Sequence, residues 1–191
     1  MNRITKEPAK RRQEIIDTAI KLFYQKGYEK TSISDIAREI GVAQGLCYRY
    51  FSSKEQIFDT AVEEYATLQV DAMCKSMTAH SLSLAELIVT MPTFLDIETN
   101  DTPYFSLFHK PGSEKMHEQL STKICEKLVP VVEQLTKQAI EREEIRPVPV
   151  KAFSSFCVYG QLGILMDQSI PGEYRVKQIK EFLLYLLEQI K

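Results

Sequence analysis

Apolar residues recur at spacings of three and four along most of the chain, a period that predicts helices rather than strands. Ile15, Ile16, Ala19, Ile20 and Phe23 mark a first helix from Pro8 to about Lys26, closed by Gly27. Ile33, Ile36, Ala37 and Ile40 give a second helix one apolar stripe. Thr31 or Ser32 can cap it with a hydroxyl, and Gly41 ends it where the chain needs a positive φ. A short third helix follows over Gln44 to Tyr50. On a helical wheel Leu46, Cys47 and Tyr50 fall on one side, and Gln44, Gly45, Tyr48 and Arg49 on the other. A longer helix runs from Lys54 to about Met77, with Phe58, Ala61, Val62, Tyr65, Leu68, Ala72 and Met73 inward. At 1.5 Å per residue it spans roughly 35 Å, enough to join an N-terminal head to the rest of the chain.

Beyond a break at His80-Ser81-Leu82-Ser83, a helix is predicted from Leu84 to about Ile97, with Pro92 imposing a kink or an early end. Tyr104 to His109 is short and aromatic-rich. Ser113 precedes a long helix to about Arg142 that contains Pro130, and Arg146-Pro147-Val148-Pro149 is a stiff connector. Two helices close the chain. The first carries Phe153, Phe156, Cys157, Gly160, Gly163 and Ile164 on one broad face. The second carries Val176, Ile179, Phe182, Leu183, Leu186, Leu187 and Ile190, with Leu184 and Tyr185 elsewhere. That helix is too apolar for an ordinary surface helix. Burial within the monomer and pairing with a second copy are both open, and the second is preferred.

The outward side of the third helix changes the picture. An amide, a bare backbone, a phenol and a guanidinium on one short helix suit the major groove of DNA. The bland alternative is one more pair of amphipathic helices, since such turns also occur in enzymes. Charge favours DNA. Residues 1–55 hold 11 Lys and Arg against 7 Asp and Glu, whereas the remainder holds 13 against 19. A basic head on an acidic body is the pattern expected when only the head meets phosphate. Lys10-Arg11-Arg12 and Lys54 lie within that head.

Composition excludes several classes. The 191 residues are 44% hydrophobic, enough to bury a real core in one domain or two closely packed ones. The polar N-terminus MNRITKEPAKRRQEI lacks a signal-peptide core, and no apolar run is long enough to span a membrane. A cytoplasmic protein is expected. Cys47, Cys74, Cys125 and Cys157 are scattered without a CxxC pair. They read as small buried hydrophobes in a reducing compartment, with a redox or metal role as the alternative. No HExxH, Walker-type loop or GxSxG occurs, so no enzyme is expected, and neither a metal nor a cofactor is implied.

At this point the sequence resembles the TetR family of bacterial transcriptional regulators. The resemblance is carried by Arg12, Ile15, Ala19, Leu22, Phe23, Gly27, Tyr28, Thr31, Ile36, Ala37, Gly41, Val42, Gly45, Tyr48, Phe51, Lys54 and Glu55, and covers about the first third of the chain. It implies an all-α fold of about nine helices. Residues 8–68 would form a three-helix DNA-binding head, its helix-turn-helix proper at about 31–51, and residues 69–191 an effector-binding and dimerisation body. It implies that Gln44, Gly45 and Arg49 face the bases, and that Thr31, Tyr48, Tyr50 and Lys54 contact phosphates. Three residues depart from the family pattern: Ala43 where a capping Ser is common, Leu46 where a small hydroxylic residue is common, and Cys47 for a larger aliphatic one.

The resemblance further implies a homodimer on a palindromic operator in double-stranded DNA, built on the last two helices. Gly160, Gly163, Ile179, Phe182, Leu183, Leu186 and Leu187 are the interface candidates. It also implies a small-molecule effector that loosens DNA binding. Met91, Phe94, Tyr104, Phe105, Phe108, Phe153, Phe156 and Tyr159 are candidates for an apolar lining, and His109, His117 and Gln161 for polar contacts. Such a lining suits a hydrophobic or amphipathic ligand. The expected function is therefore a ligand-responsive DNA-binding regulator, most often a repressor in this family. The alternative is a dimeric DNA-binding regulator without a small-molecule ligand, controlled by protein partners.

Overall fold

A computed structural model describes residues 6–77, 82–91, 103–109, 113–167 and 169–191, with the backbone alone at 76, 77, 103, 106 and 109. Its helices are α1 (Pro8–Lys26), α2 (Ile33–Ile40), α3 (Gln44–Tyr48), α4 (Lys54–Met77), α5 (Leu84–Thr90), α6 (Pro103–His109), α7 (Glu114–Glu141), α8 (Val150–Tyr159), α9 (Leu162–Leu165) and α10 (Gly172–Glu188). No strand occurs among the described residues. The all-α class is as predicted.

The chain divides into two units. The first contains α1 to α3, α4 as far as Tyr65, α6, and the start of α7 to His117. The second contains α4 from Ala66, α5, α7 from Glu118, and α8 to α10.

Local signals set the helix ends in the first unit. Pro8 opens α1, where its missing N–H is not needed. Gly27 follows at φ 88°. Ser32, not Thr31, caps α2: its hydroxyl accepts from the Asp35 N–H at 3.1 Å, and the Asp35 carboxylate accepts from the Ser32 N–H at 3.0 Å. This reciprocal box satisfies two otherwise orphaned donors. Gly41 ends α2 in the left-handed region at φ 78°, which costs a residue with a Cβ more than it costs glycine. The predicted stripes then form the core: Ile15, Ile16, Ala19, Ile20 and Phe23 of α1, Ile33, Ile36 and Ala37 of α2, and Phe58, Ala61, Val62 and Tyr65 of α4 are all buried.

α6 belongs to this first unit and packs on α1. The expected body, residues 69–191, therefore loses its aromatic segment to the head's unit. The reason is ring packing. Tyr104 stacks on Tyr65 at 5.2 Å, and Phe108 lies 5.6 Å from Tyr65 and 6.2 Å from Phe58. The Ser113 hydroxyl donates to the Phe108 carbonyl at 2.7 Å, tying the chain after α6 back onto it.

In the second unit Ala139, Ile145 and Leu187 form a buried cluster with Leu84, Ala85, Ile88, Ile140 and Ile190 around it. α5 is held at both ends. Glu144 accepts from the Leu84 N–H at 2.8 Å, and Lys180 donates to the carbonyls of Val89 (2.8 Å) and Met91 (3.1 Å). The helix stops at Thr90, short of the predicted Ile97. Met91 is extended (φ −56°, ψ 131°), the conformation imposed on a residue that precedes proline. Pro92 itself, and the predicted break at residues 80–81, lie outside the described residues.

Two further expectations are corrected here. The predicted helix over Phe153 to Ile164 is two pieces, because Gly160 and Gln161 interrupt it between α8 and α9. A Cβ at Gly160 would lie 2.6 Å from the Phe156 carbonyl oxygen, so this glycine serves its own turn rather than a neighbouring helix. Ile179 and Leu187 are buried within the unit. They are core residues of the monomer, not surface available to a second copy.

Candidate nucleic-acid interface

α3 is short and has no side-chain cap, since Ala43 precedes it. Its position comes instead from below. Cys47 is 0% exposed, and Phe51 just beyond is buried as well. The Arg12 guanidinium lies 5.2 Å from the Phe51 ring centroid and donates to Glu64 at 2.8 Å, bracing the end of the turn against α1 and α4. Burial holds the Cys47 thiol above its ordinary range, outweighing the nearby Arg11, which makes it an inert packing group rather than a reactive one.

The wheel drawn from the sequence matches the observed faces. Leu46, Cys47 and Tyr50 are buried or half-buried, whereas Gln44, Gly45, Tyr48 and Arg49 are exposed, Tyr48 at 51%. A Cβ built on Gly45 meets nothing within 4 Å. The glycine is therefore not required by the head's own packing. Its bare backbone is space left open on the outward side.

The four phosphate candidates differ. Tyr48 is exposed and Tyr50 half-buried. Thr31 is corrected: it is 3% exposed, and its hydroxyl donates to the Gly27 carbonyl at 2.9 Å. It closes the α1–α2 loop and presents no hydroxyl to a ligand. Lys54 is half-buried, donates to the Tyr28 carbonyl at 2.8 Å, and lies 4.1 Å from the Tyr28 ring centroid. Sequence reasoning placed Tyr28 against the head but missed this pairing, which joins residues 26 positions apart.

The remaining cations are partly spent on ion pairs. Arg38 pairs with Asp35, Lys21 with Glu39 at 2.9 Å, and Arg11 with Glu14 at 2.5 Å. The pairs of Arg38 and Lys21 are exposed, add little stability and leave those cations near the surface, whereas the Arg11 side chain is only 12% exposed.

The effector candidates are not brought together within either unit. Tyr104, Phe105, Phe108 and His117 belong to the first, where Phe108 is 1% exposed. Phe153, Phe156, Tyr159 and Gln161 belong to the second, as does Met91. Phe156 is 72% exposed. The Gln161 amide donates to the Cys157 carbonyl at 2.6 Å. Phe94 and the His109 side chain lie outside the described residues. Among the described residues no group of His, Cys, Asp and Glu could hold a metal ion, and no helix is long and apolar enough to cross a membrane.

The second unit shows a different surface. Phe182 (51%) and Tyr185 (59%) are exposed on α10, their rings 6.3 Å apart and near parallel, with Tyr174 exposed on the same helix. Gly163 has open space around it.

Residues 15–61 match the family model described as bacterial regulatory proteins, tetR family. The chain is 25% identical over 200 residues to the HTH-type transcriptional regulator AcrR of Shigella flexneri, covering 98% of this chain and 93% of that one. It is 38% identical over 52 residues to the biofilm operon icaADBC HTH-type negative transcriptional regulator IcaR of Staphylococcus aureus (strain Newman), a match confined to 27% of this chain and 28% of the relative. A solved structure described as a putative TetR-family transcriptional regulator from Mesorhizobium loti superposes with a TM-score of 0.68 at 19% identity, covering 96% of this chain and 98% of that one. That superposition shows a shared fold.

Proposed function

We propose that this chain, whose residues 15–61 match the TetR family of bacterial regulatory proteins, is a DNA-binding transcriptional regulator rather than an enzyme, a repressor released from a palindromic operator by a small hydrophobic or amphipathic effector. The observation that supports base reading is the outward face of α3. Arg49 suits a bidentate pair to guanine, and Gln44 suits adenine, each worth about 1–3 kcal/mol of discrimination. Gly45 lets the helix backbone approach the base edges. Tyr48, Tyr50 and Lys54 would contact phosphates and so position the head without reading sequence. A repressing sense is consistent with the similarity to IcaR, whose name describes a negative regulator. Cytoplasmic location is part of the same proposal.

In this reading the protein works as a homodimer, because two heads on two half-sites gain affinity that one head lacks. Phe182, Tyr185 and Gly163 are the surface that supports it, with Leu183 and Leu186 half-buried beside them. A second reading, a dimeric regulator without a small-molecule ligand, is favoured by one observation: Tyr104 and Phe108 are already engaged with Tyr65.

The test is selection of a preferred duplex from a random library, followed by binding of Arg49→Ala and Gln44→Ala to that duplex and to a shuffled one. Base reading predicts loss mainly on the selected duplex. An equal loss on both would argue against it. Native mass spectrometry of the purified protein separates the two effector readings, since a dimer carrying small-molecule mass supports the ligand-responsive one.

A further inference from the structure

Lys54 opens α4, directly after the turn that follows α3. A lysine there would ordinarily sweep a wide arc, because its stem has four rotatable bonds. Here it does not. Its ammonium donates to the Tyr28 carbonyl at 2.8 Å and lies 4.1 Å from the centroid of the Tyr28 ring. That ring is itself fixed. It packs 5.0 Å from Phe23 of α1 and 5.3 Å from Phe58 of α4. Its hydroxyl donates to the Glu55 carboxylate at 3.3 Å. Burial first, and the Glu55 carboxylate second, push the phenol up to about 12, so it stays a neutral donor across the physiological range.

We infer that Tyr28 is a positioning residue for DNA binding: it holds the Lys54 ammonium where the first turn of α4 meets a phosphate. An ammonium has three N–H donors. The Tyr28 carbonyl takes one and the ring face engages the cation, which leaves donors for a phosphate oxygen. Fixing the side chain before binding removes the ordering penalty that a free lysine would carry. The carboxylate of Glu55 accepts from the phenol and so helps hold the ring, and its charge also acts on the neighbouring ammonium. This inference rests on the DNA-binding reading and adds a residue to it.

The test uses the full chain and a random-sequence duplex long enough to seat two heads, with affinity followed over a salt series. Wild type should lose affinity linearly in log salt. Lys54→Ala should flatten that slope by about 0.9 per head, one phosphate contact. Tyr28→Leu, which removes the ring but keeps the backbone carbonyl, should flatten it in part, Tyr28→Phe should keep the wild-type slope, and Tyr28→Leu should change nothing further in a Lys54→Ala background. A wild-type slope for Tyr28→Leu would overturn the inference, as would equal flattening in the two backgrounds, which marks a merely structural loss. NMR of wild type gives a reading independent of whether Tyr28→Leu folds. The Lys54 ε-methylene protons should show an upfield ring-current shift that persists when duplex is added. Loss of that shift on binding would mean that the lysine leaves the ring to reach DNA, and the inference would fail. A wild type without salt-dependent binding would instead sink the DNA reading itself.

Discussion

The rings of Tyr65 on α4 and Phe108 on α6 lie 5.6 Å apart and within 5° of parallel. Phe108 also meets Phe58, and its neighbour Leu107 is buried too. The segment that looked like the wall of a ligand site is thus part of the first unit's core. Phe108→Ala should destabilise the protein by about 3–5 kcal/mol, the range for emptying a buried aromatic site. Phe108→Leu should lose distinctly less. Chemical denaturation with a constant m-value checks both. Near-wild-type stability for Phe108→Ala would return the residue to the effector candidates.

Gly45 separates folding from binding. Its Cβ position is open and its φ is not in the left-handed region. Gly45→Ala should therefore fold normally and gain up to about 1 kcal/mol from reduced unfolded-state entropy. The same methyl group should weaken DNA binding if the backbone at Gly45 approaches base edges closely. Thermal unfolding and duplex titration of the one variant measure both effects. A more stable protein with undiminished DNA affinity would show that nothing approaches Gly45.

Asp35 ties stability to pH. Hydrogen bonds from the Ser32 hydroxyl and backbone N–H, and then the nearby Arg38, hold its carboxyl below the ordinary value of 3.8. A lowered folded-state value means that the stabilisation is complete above the unfolded-state value. It is lost as pH falls through the lowered one. Asp35→Asn should lower the unfolding midpoint at neutral pH, and the gap to wild type should narrow once wild-type Asp35 is protonated. A gap that does not change with pH would mean that the carboxylate charge plays no part in the cap.

Phe182 and Tyr185, the proposed homodimer surface, contrast with a core residue on the same helix. Both are more than half exposed, whereas Leu187, two residues on from Tyr185, is in the buried cluster. Phe182→Glu with Tyr185→Glu should leave secondary structure intact and shift the protein from dimer to monomer in sedimentation. Leu187→Glu should instead unfold the second unit, because an unpaired charge would enter its core. A double variant that remains dimeric would place the homodimer surface elsewhere.

What the amino-acid order determined by itself was local. Pro8, Ser32, Gly27 and Gly41 start and stop helices through backbone conformation and nearby hydrogen bonds, within a few residues of where they stand. The two sides of α3 were legible for the same reason, since a single turn of helix sorts Cys47 from Arg49 with no help from the rest of the chain. Allegiance across distance was not legible. Periodicity shows that a side of α6 or α10 is apolar, but not which surface will cover it. Only ring stacking assigned Phe108 to Tyr65, and only the cluster around Ala139 drew Leu187 inward while Phe182 stayed out. Thr31 and Lys54 show the same limit for polar groups. A hydroxyl and an ammonium have many possible partners in a sequence, and the folded chain chose the Gly27 carbonyl for one and the Tyr28 carbonyl and ring for the other.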